Sequence, residues 1–90
     1  MYSLRVSPEA DRELGRLGER IQRRDFERLR AAISGLAHNP RPQGVRKLEG
    51  KQRAWRIRVG DYRVIYEIDD EQALVLILKV ARRSEATYTR

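Results

Sequence analysis

The segment from Trp55 to Ile68 constrains the fold more than any other part of the chain, because two strand-like runs flank a turn signal. Residues 55–59 and 62–68 are rich in β-branched and aromatic side chains, and Gly60-Asp61 between them suits a two-residue hairpin turn. Such a turn fixes the register of the hairpin. The predicted cross-strand pairs are Val59 with Tyr62, Arg58 with Arg63, Ile57 with Val64 and Arg56 with Ile65.

Alternation along this hairpin gives its two faces opposite chemistry. One face is apolar and aromatic and comprises Trp55, Ile57, Val59, Tyr62, Val64 and Tyr66. The other, here called the arginine face, comprises Arg56, Arg58 and Arg63. Like charges directly opposite each other destabilise a ladder by up to about 1 kcal/mol. The pairing of Arg58 with Arg63 therefore favours an oligoanion ligand, in particular nucleic acid, over a solvated basic strand surface.

The charge of the chain is concentrated around the hairpin. Its 90 residues suit one domain, 1–90, and carry a net charge of +7. Residues 41–63 hold eight basic and two acidic side chains, whereas residues 1–40 hold eight and six, a mixture typical of solvated helix surfaces. A basic cluster attracts nucleic acid or an acidic protein, and composition does not separate the two. Additional predicted nucleic-acid contacts are Lys47, Lys51, Arg53, Lys79 and Arg82.

Composition also indicates what the chain lacks. Cysteine is absent, so we expect neither disulfides nor thiolate metal sites. With His38 as the single histidine, no set of metal ligands is evident, and no glycine-rich phosphate loop occurs. No signal segment opens the chain, and the longest apolar run, residues 73–78, is too short to span a membrane. We therefore expect a cytoplasmic protein that contacts no membrane and needs no cofactor or metal.

The N-terminal half predicts a strand and a helical hairpin. Residues 2–6 alternate as a short strand, and Ser7-Pro8-Glu9 has the residue types of a helix start. An apolar stripe at helical spacing then follows, with a break expected near Gly18 and an end by Asn39, before Pro40. The stripe comprises Ala10, Leu14, Leu17, Ile21, Phe26, Leu29, Ile33 and Leu36.

After the hairpin, residues 73–80 predict a strand buried on both faces. If Leu74, Leu76, Leu78 and Val80 join the core face, Lys79 falls on the arginine face, which requires an odd-length loop or a bulge. The predicted fold is α+β. A short N-terminal strand and a helical hairpin precede a three-stranded antiparallel meander, which forms one sheet packed on the helices.

These residues resemble the RelE/ParE toxin superfamily over nearly the whole chain. The resemblance rests on Pro8-Glu9-Ala10, Leu17, Asn39-Pro40, the K-L-E-G at 47–50, the R-x-G-D-Y-R-x-x-Y at 58–66 and the closing Arg-Arg…Tyr. It implies a toxin of a type II toxin–antitoxin pair, with a RelE-like fold and a cognate antitoxin as partner. RelE-branch members cut mRNA in the ribosomal A site, whereas ParE-branch members inhibit DNA gyrase.

The resemblance to the RelE branch implies a catalytic set. Carried over to this sequence, it falls on Arg56, Arg58, Arg63, Arg83 and Tyr88. The family pattern has one arginine after the last strand. Its spacing from Val80 favours Arg83, whereas its spacing from Tyr88 favours Arg82. Many relatives have lysine at positions 56 and 58. Arginine stays protonated and is a poor base, so the base is Tyr88, Glu49 or a group of the ribosome.

Three functions are therefore open. The favoured one is a ribosome-dependent, metal-independent endoribonuclease that acts on mRNA. The alternatives are a gyrase-directed toxin without chemistry of its own, and an inactive toxin fold that serves as the partner of an antitoxin.

Overall fold

A five-stranded sheet and two helices make up residues 1–50 and 53–82, the part of the chain that our computed structural model describes. The elements in chain order are β1 (Ser3–Val6), α1 (Pro8–Arg20), α2 (Arg23–Gly35), β2 (Arg46–Lys47), β3 (Ala54–Val59), β4 (Tyr62–Asp69) and β5 (Leu74–Arg82). The sheet order is β1-β5-β4-β3-β2. The predicted α+β class is confirmed. In residues 1–50 and 53–82 no helix is long and apolar enough to cross a membrane.

The sheet is larger than the three-stranded meander predicted from the sequence. β1 lies parallel to β5, with Ser3 opposite Leu74, and β2 lies antiparallel to β3, with Arg46 opposite Arg56. The connection between this parallel pair runs through the helical hairpin and then through β2, β3 and β4. The meander prediction missed β2 because two residues are too few to show an alternating pattern.

The helical hairpin bends three to four residues later than predicted. Ser7 begins α1 as expected, since its Oγ accepts a hydrogen bond from the Ala10 N–H at 3.1 Å. The break falls at residues 21–22, so the predicted break near Gly18 is wrong. Gly18 lies inside α1, where an added Cβ would be 3.2 Å from the Phe26 ring. The glycine therefore allows the two helices to approach, which a sequence pattern does not distinguish from a helix end.

The predicted hairpin register is confirmed at every pair from Arg56–Ile65 to Val59–Tyr62. Its apolar face packs on the helices, and the stripe of the second helix is buried as expected. The fully buried side chains of the core include Leu29, Leu36, Val64, Tyr66, Val75 and Ile77. The helices therefore cover one side of the sheet and leave the arginine face on the other.

β5 contains the bulge that its pattern required, and Val80 is buried as predicted, but the three predicted core leucines are only half-buried. Ile65 pairs with Lys79, whereas the next residue, Tyr66, pairs with Ile77, so Leu78 is the extra residue. Val75 and Ile77 are fully buried, and the leucines at 74, 76 and 78 are half-buried. The register shift lies opposite the step from Ile65 to Tyr66 in β4, so its position depends on the pairing with that strand.

Lys79 joins α1 to the bulge. Its Nζ lies 2.7 Å from Glu9 Oε2 and 2.9 Å from Glu13 Oε2. The other oxygen of Glu13 accepts a hydrogen bond from the Val80 N–H at 2.7 Å. The hydrogen bond from Lys79 lowers the pKa of Glu9, and the same hydrogen bond raises the pKa of Lys79. The ammonium thus holds the first half of α1 against the sheet edge.

We expect Lys79→Met to lower the melting temperature at pH 7, because it removes the partner of both carboxylates. The pKa of Glu9 is lower in the folded protein than in the unfolded chain, where the pKa of a glutamate is about 4.3. Glu9 therefore stabilises the fold above that pH, and its contribution is lost as the pH falls through the folded pKa. The difference from wild type should therefore shrink below about pH 4. Calorimetry between pH 3 and pH 7 measures it. Arg23→Met is the control, since its pair with Glu27 is fully surface-exposed and worth little.

Candidate nucleic-acid interface

The arginine face lies on the side of the sheet that the helices leave uncovered. Arg58 is directly opposite Arg63, and Arg56 is opposite Ile65. The Nε atoms of Arg56 and Arg63 are buried and the two side chains are half-buried, whereas Arg58 is exposed. Long basic side chains place their stems on apolar surface and keep the charge at its rim. The half-buried stems of Arg56 and Arg63 thus hold their guanidinium groups on this face.

Two apolar residues form the floor of the arginine face. Ile65 is the register partner of Arg56, and Ala81 is the register partner of Arg63. Each is 7% exposed, although both lie on the face away from the helices. Their low exposure on the uncovered side of the sheet shows that neighbouring side chains cover them.

Arg46 extends this surface, and sequence reasoning did not include it among the site residues. In β2, Arg46 is the register partner of Arg56, so it falls on the same side of the sheet. It is exposed and has no ion pair within the described parts of the chain. The signal that could have found it is the spacing of Arg46 and Arg56 across the Gly50 turn, which would have placed them as strand partners. Three adjacent strands thus bring four arginines together.

The predicted auxiliary contacts lie in different surroundings. Lys47 is exposed in β2, with its Nζ 5.8 Å from the centroid of the Trp55 ring. Arg53 is exposed and paired with Asp69 at 3.0 Å. Lys79 shares the row of Arg56 and Ile65, but its ammonium binds Glu9 and Glu13, as described above. Both pairings compete with a phosphate for these two cations, and Lys47, the register partner of Trp55, lies in the row of the apolar face rather than on the arginine face.

The C-terminal residues of the predicted site are described only as far as Arg82. Arg82 is exposed and is the register partner of Tyr62, a core residue, so it occupies the row that faces the helices. Ala81 occupies the arginine-face row instead. Arg83, Tyr88 and Lys51 lie outside the described residues, and their roles stay predictions.

An anchored loop borders the interface between α2 and β2. The Tyr66 hydroxyl, at the centre of the core, donates to the carbonyl oxygen of Pro40 at 2.7 Å, and burial raises the pKa of Tyr66. Arg41 binds both oxygens of Asp70, at 2.9 and 3.3 Å, and lies 5.0 Å from the centroid of the Trp55 ring. Hydrogen bonds from Arg41 and Tyr2 lower the pKa of Asp70. These contacts fix the first residues of the loop, Pro40 and Arg41, to the sheet beside Trp55.

Tyr66→Phe should lower the free energy of unfolding by about 1–3 kcal/mol, because it leaves the carbonyl of buried Pro40 without its donor. Urea denaturation measures the loss. Tyr2→Phe is the matched control: its hydroxyl donates to Asp70 at 2.6 Å at an exposed site, where water replaces it. Equal losses in the two variants would contradict the anchoring role of Tyr66.

The comparison with known proteins identifies the family. A family model described as the ParE toxin of type II toxin–antitoxin systems, parDE, matches residues 4–87. The chain belongs to this toxin family. The toxin is 39% identical to the Toxin RelE of Mycobacterium tuberculosis over an alignment that covers 97% of this chain and 86% of that protein. The predicted RelE/ParE membership is confirmed.

Solved structures show the same fold. The toxin resembles the archaeal RelE–RelB complex from Pyrococcus horikoshii with a TM-score of 0.77 and 28% identity, over 94% of this chain and 98% of that one. It resembles the isolated E. coli RelE toxin with a TM-score of 0.75 and 21% identity, over 97% and 89%. The toxin therefore has a RelE-like α+β fold.

Proposed function

We propose that the toxin is a ribosome-dependent endoribonuclease that cleaves mRNA, and that a cognate antitoxin neutralises it. The observation that carries this proposal is the convergence of Arg46, Arg56, Arg58 and Arg63 on one side of the sheet. Paired guanidinium N–H donors suit phosphate recognition, because they can bind two phosphate oxygens at once. The relative named Toxin RelE supports the same activity.

The proposed reaction is metal-independent transesterification of RNA. The 2′-oxygen attacks the adjacent phosphorus and loses its proton to a base, the P–O5′ bond breaks, and an acid protonates the departing 5′-oxygen. The products are a 2′,3′-cyclic phosphate and a 5′-hydroxyl. Negative charge accumulates on the phosphorane between these steps, and preorganised cations lower its energy.

The arginines are suited to the electrostatic part of this reaction. Arg58 and Arg63 face each other across the ladder, so both can donate N–H groups to one phosphate. Neither can accept a proton, because a guanidinium stays protonated in proteins. Tyr88 is proposed as the acid–base group. Glu49, which is exposed in the turn after β2, and the ribosome itself are the other candidates.

Gyrase inhibition is the second candidate function, because the matching family model is described as a ParE toxin. It requires binding without bond cleavage. The arginine face supplies paired phosphate donors, which this function does not need, and so favours the ribonuclease.

Purified toxin added to a translating extract tests the proposal. Primer extension should show mRNA cleavage on translating ribosomes and none on free mRNA, while a parallel supercoiling assay should show uninhibited gyrase. Inhibited gyrase with intact mRNA would establish the ParE-like function instead. If both mRNA and gyrase activity were unaffected, the toxin would be an inactive relative.

The antitoxin is tested in cells. An acidic or apolar segment that folds on binding would cover the sheet or the helical hairpin and bury the basic surface. Expression of the toxin alone should arrest growth, and co-expression with the antitoxin should restore it. Equal growth in the two cultures would contradict neutralisation.

A further inference from the structure

A cleft of about 620 Å³ lies between the end of α2 and the outer edge of β3. Binding sites for small ligands commonly have volumes of about 300–1,000 Å³. The cleft borders the arginine face, because Arg56 and Arg58 line it together with Arg46. Its position thus places it beside the proposed phosphate site.

The cleft exists because β2 is short and because a glycine lies on the facing wall, in α2. β2 pairs with β3 only at Trp55 and Arg56, so the outer edge of residues 57–59 has no partner among the described strands. On the opposite wall, Gly35 has no side chain, and a Cβ built there would meet no atom within 4 Å. The loop passes over the end of the cleft at Gly44, whose φ of +89° is favourable for glycine.

The lining suits a nucleobase. Ala32, Pro42 and Val59, which are half-buried, supply apolar surface for the faces of a base, and the amides of Asn39 and Gln43 supply donors and acceptors for its edge. Asn39 Oδ1 accepts the Arg41 N–H at 3.2 Å, which leaves the Asn39 amino group able to donate. Among the described residues that border the cleft, none is acidic.

We propose that this cleft is a specificity subsite that takes a nucleobase of the RNA substrate, next to the phosphate held on the arginine face. The inference rests on the proposed ribonuclease function. Because Arg56 and Arg58 belong to both sites, the base in the cleft is one or two nucleotides from the scissile phosphate. The cleft thereby contributes to the choice of sequences that the toxin cuts.

An extended peptide along the free edge of β3 is the competing occupant. Such a peptide would use the strand edge for backbone hydrogen bonds. The continuity of the cleft with Arg56 and Arg58, and the two amides at its far wall, favour RNA.

Gly35→Leu tests the proposal by filling the cleft. Gly15→Leu is the matched control, because Gly15 is also helical, a Cβ there also meets no atom within 4 Å, and it does not border the cleft. Both variants should fold, since leucine has the higher helix propensity. Cleavage on programmed ribosomes, mapped over a library of A-site codons, should fall about 10-fold at the preferred codons in Gly35→Leu. It should be unchanged in Gly15→Leu.

A second variant, Gln43→Ala, should broaden the codon distribution without lowering the total rate more than a few-fold, since it removes one edge contact. The same codon distribution in wild type and Gly35→Leu would overturn the subsite while leaving the ribonuclease function intact. Weaker antitoxin binding by Gly35→Leu with unchanged cleavage would assign the cleft to a peptide and overturn the proposal. If the wild-type toxin left mRNA intact, the ribonuclease function would fail and the subsite with it.

Discussion

Replacing Arg63 with alanine is expected to lower mRNA cleavage by about 100- to 1,000-fold, the usual effect of removing a preorganised transition-state donor. The variant should also lose growth inhibition. Its melting temperature should stay close to that of wild type, because the loss of packing around the stem is offset by relief of the repulsion from Arg58. Single-turnover cleavage on programmed ribosomes and calorimetry on the same preparations measure the two effects.

Two controls separate charge from packing in this experiment. Arg63→Met retains an apolar stem over the floor of the arginine face, and it should be as inactive as alanine. Arg53→Ala removes an exposed arginine that is paired with Asp69, and it should retain activity. Full toxicity of Arg63→Ala would show that the arginine face is not the functional surface, and an unfolded Arg63→Met would show that the charge of Arg63 is needed for folding.

Tyr88→Phe is expected to lower the rate by about 100-fold, the loss typical of general acid–base catalysis. The reason lies in the chemistry of the surrounding groups. The arginines hold their protons, and the Tyr66 hydroxyl is buried and bonded to Pro40 on the helix side of the sheet. An unperturbed tyrosine has a pKa of about 10, so the wild-type rate should rise with pH and the variant's rate should not.

Glu49→Gln provides the comparison for Tyr88→Phe. If Glu49 were the base, this variant would lose the rate instead. Undiminished single-turnover rates in both variants would leave the ribosome, or in-line positioning by the arginines, as the source of catalysis.

Local signals predicted the hairpin, whereas contacts distant in sequence set the rest of the sheet. Gly60-Asp61 fixes the β3–β4 register within a few residues, so the sequence was sufficient there. The parallel pairing of β1 with β5 joins residues about 70 positions apart, and neither strand carries a signal for it. The bulge at Leu78 likewise depends on the neighbouring strand, and for this reason the pattern alone misplaced the core leucines.

The same contrast between local signals and contacts distant in sequence applies to the site. Alternation on one hairpin was enough to predict Arg56, Arg58 and Arg63, because a strand presents every second residue to one side. Arg46 was missed because its membership depends on pairing with β3. The cleft was not predictable either, since it arises where β2 ends, opposite a glycine in α2.

The hydrogen bond between Glu13 and the Val80 N–H has a consequence for self-association. β1 covers β5 only up to Ile77, so the rest of this strand would present free backbone donors and acceptors to any extended chain. Ser7 donates to the Leu78 carbonyl at 3.2 Å, and Glu13 accepts from Val80. Side chains at the start of α1 thus occupy the positions that a foreign strand would need, and exposed strand edges are the usual starting point for aggregation. Glu13→Ala should consequently expose an edge for intermolecular pairing as well as loosen the helix.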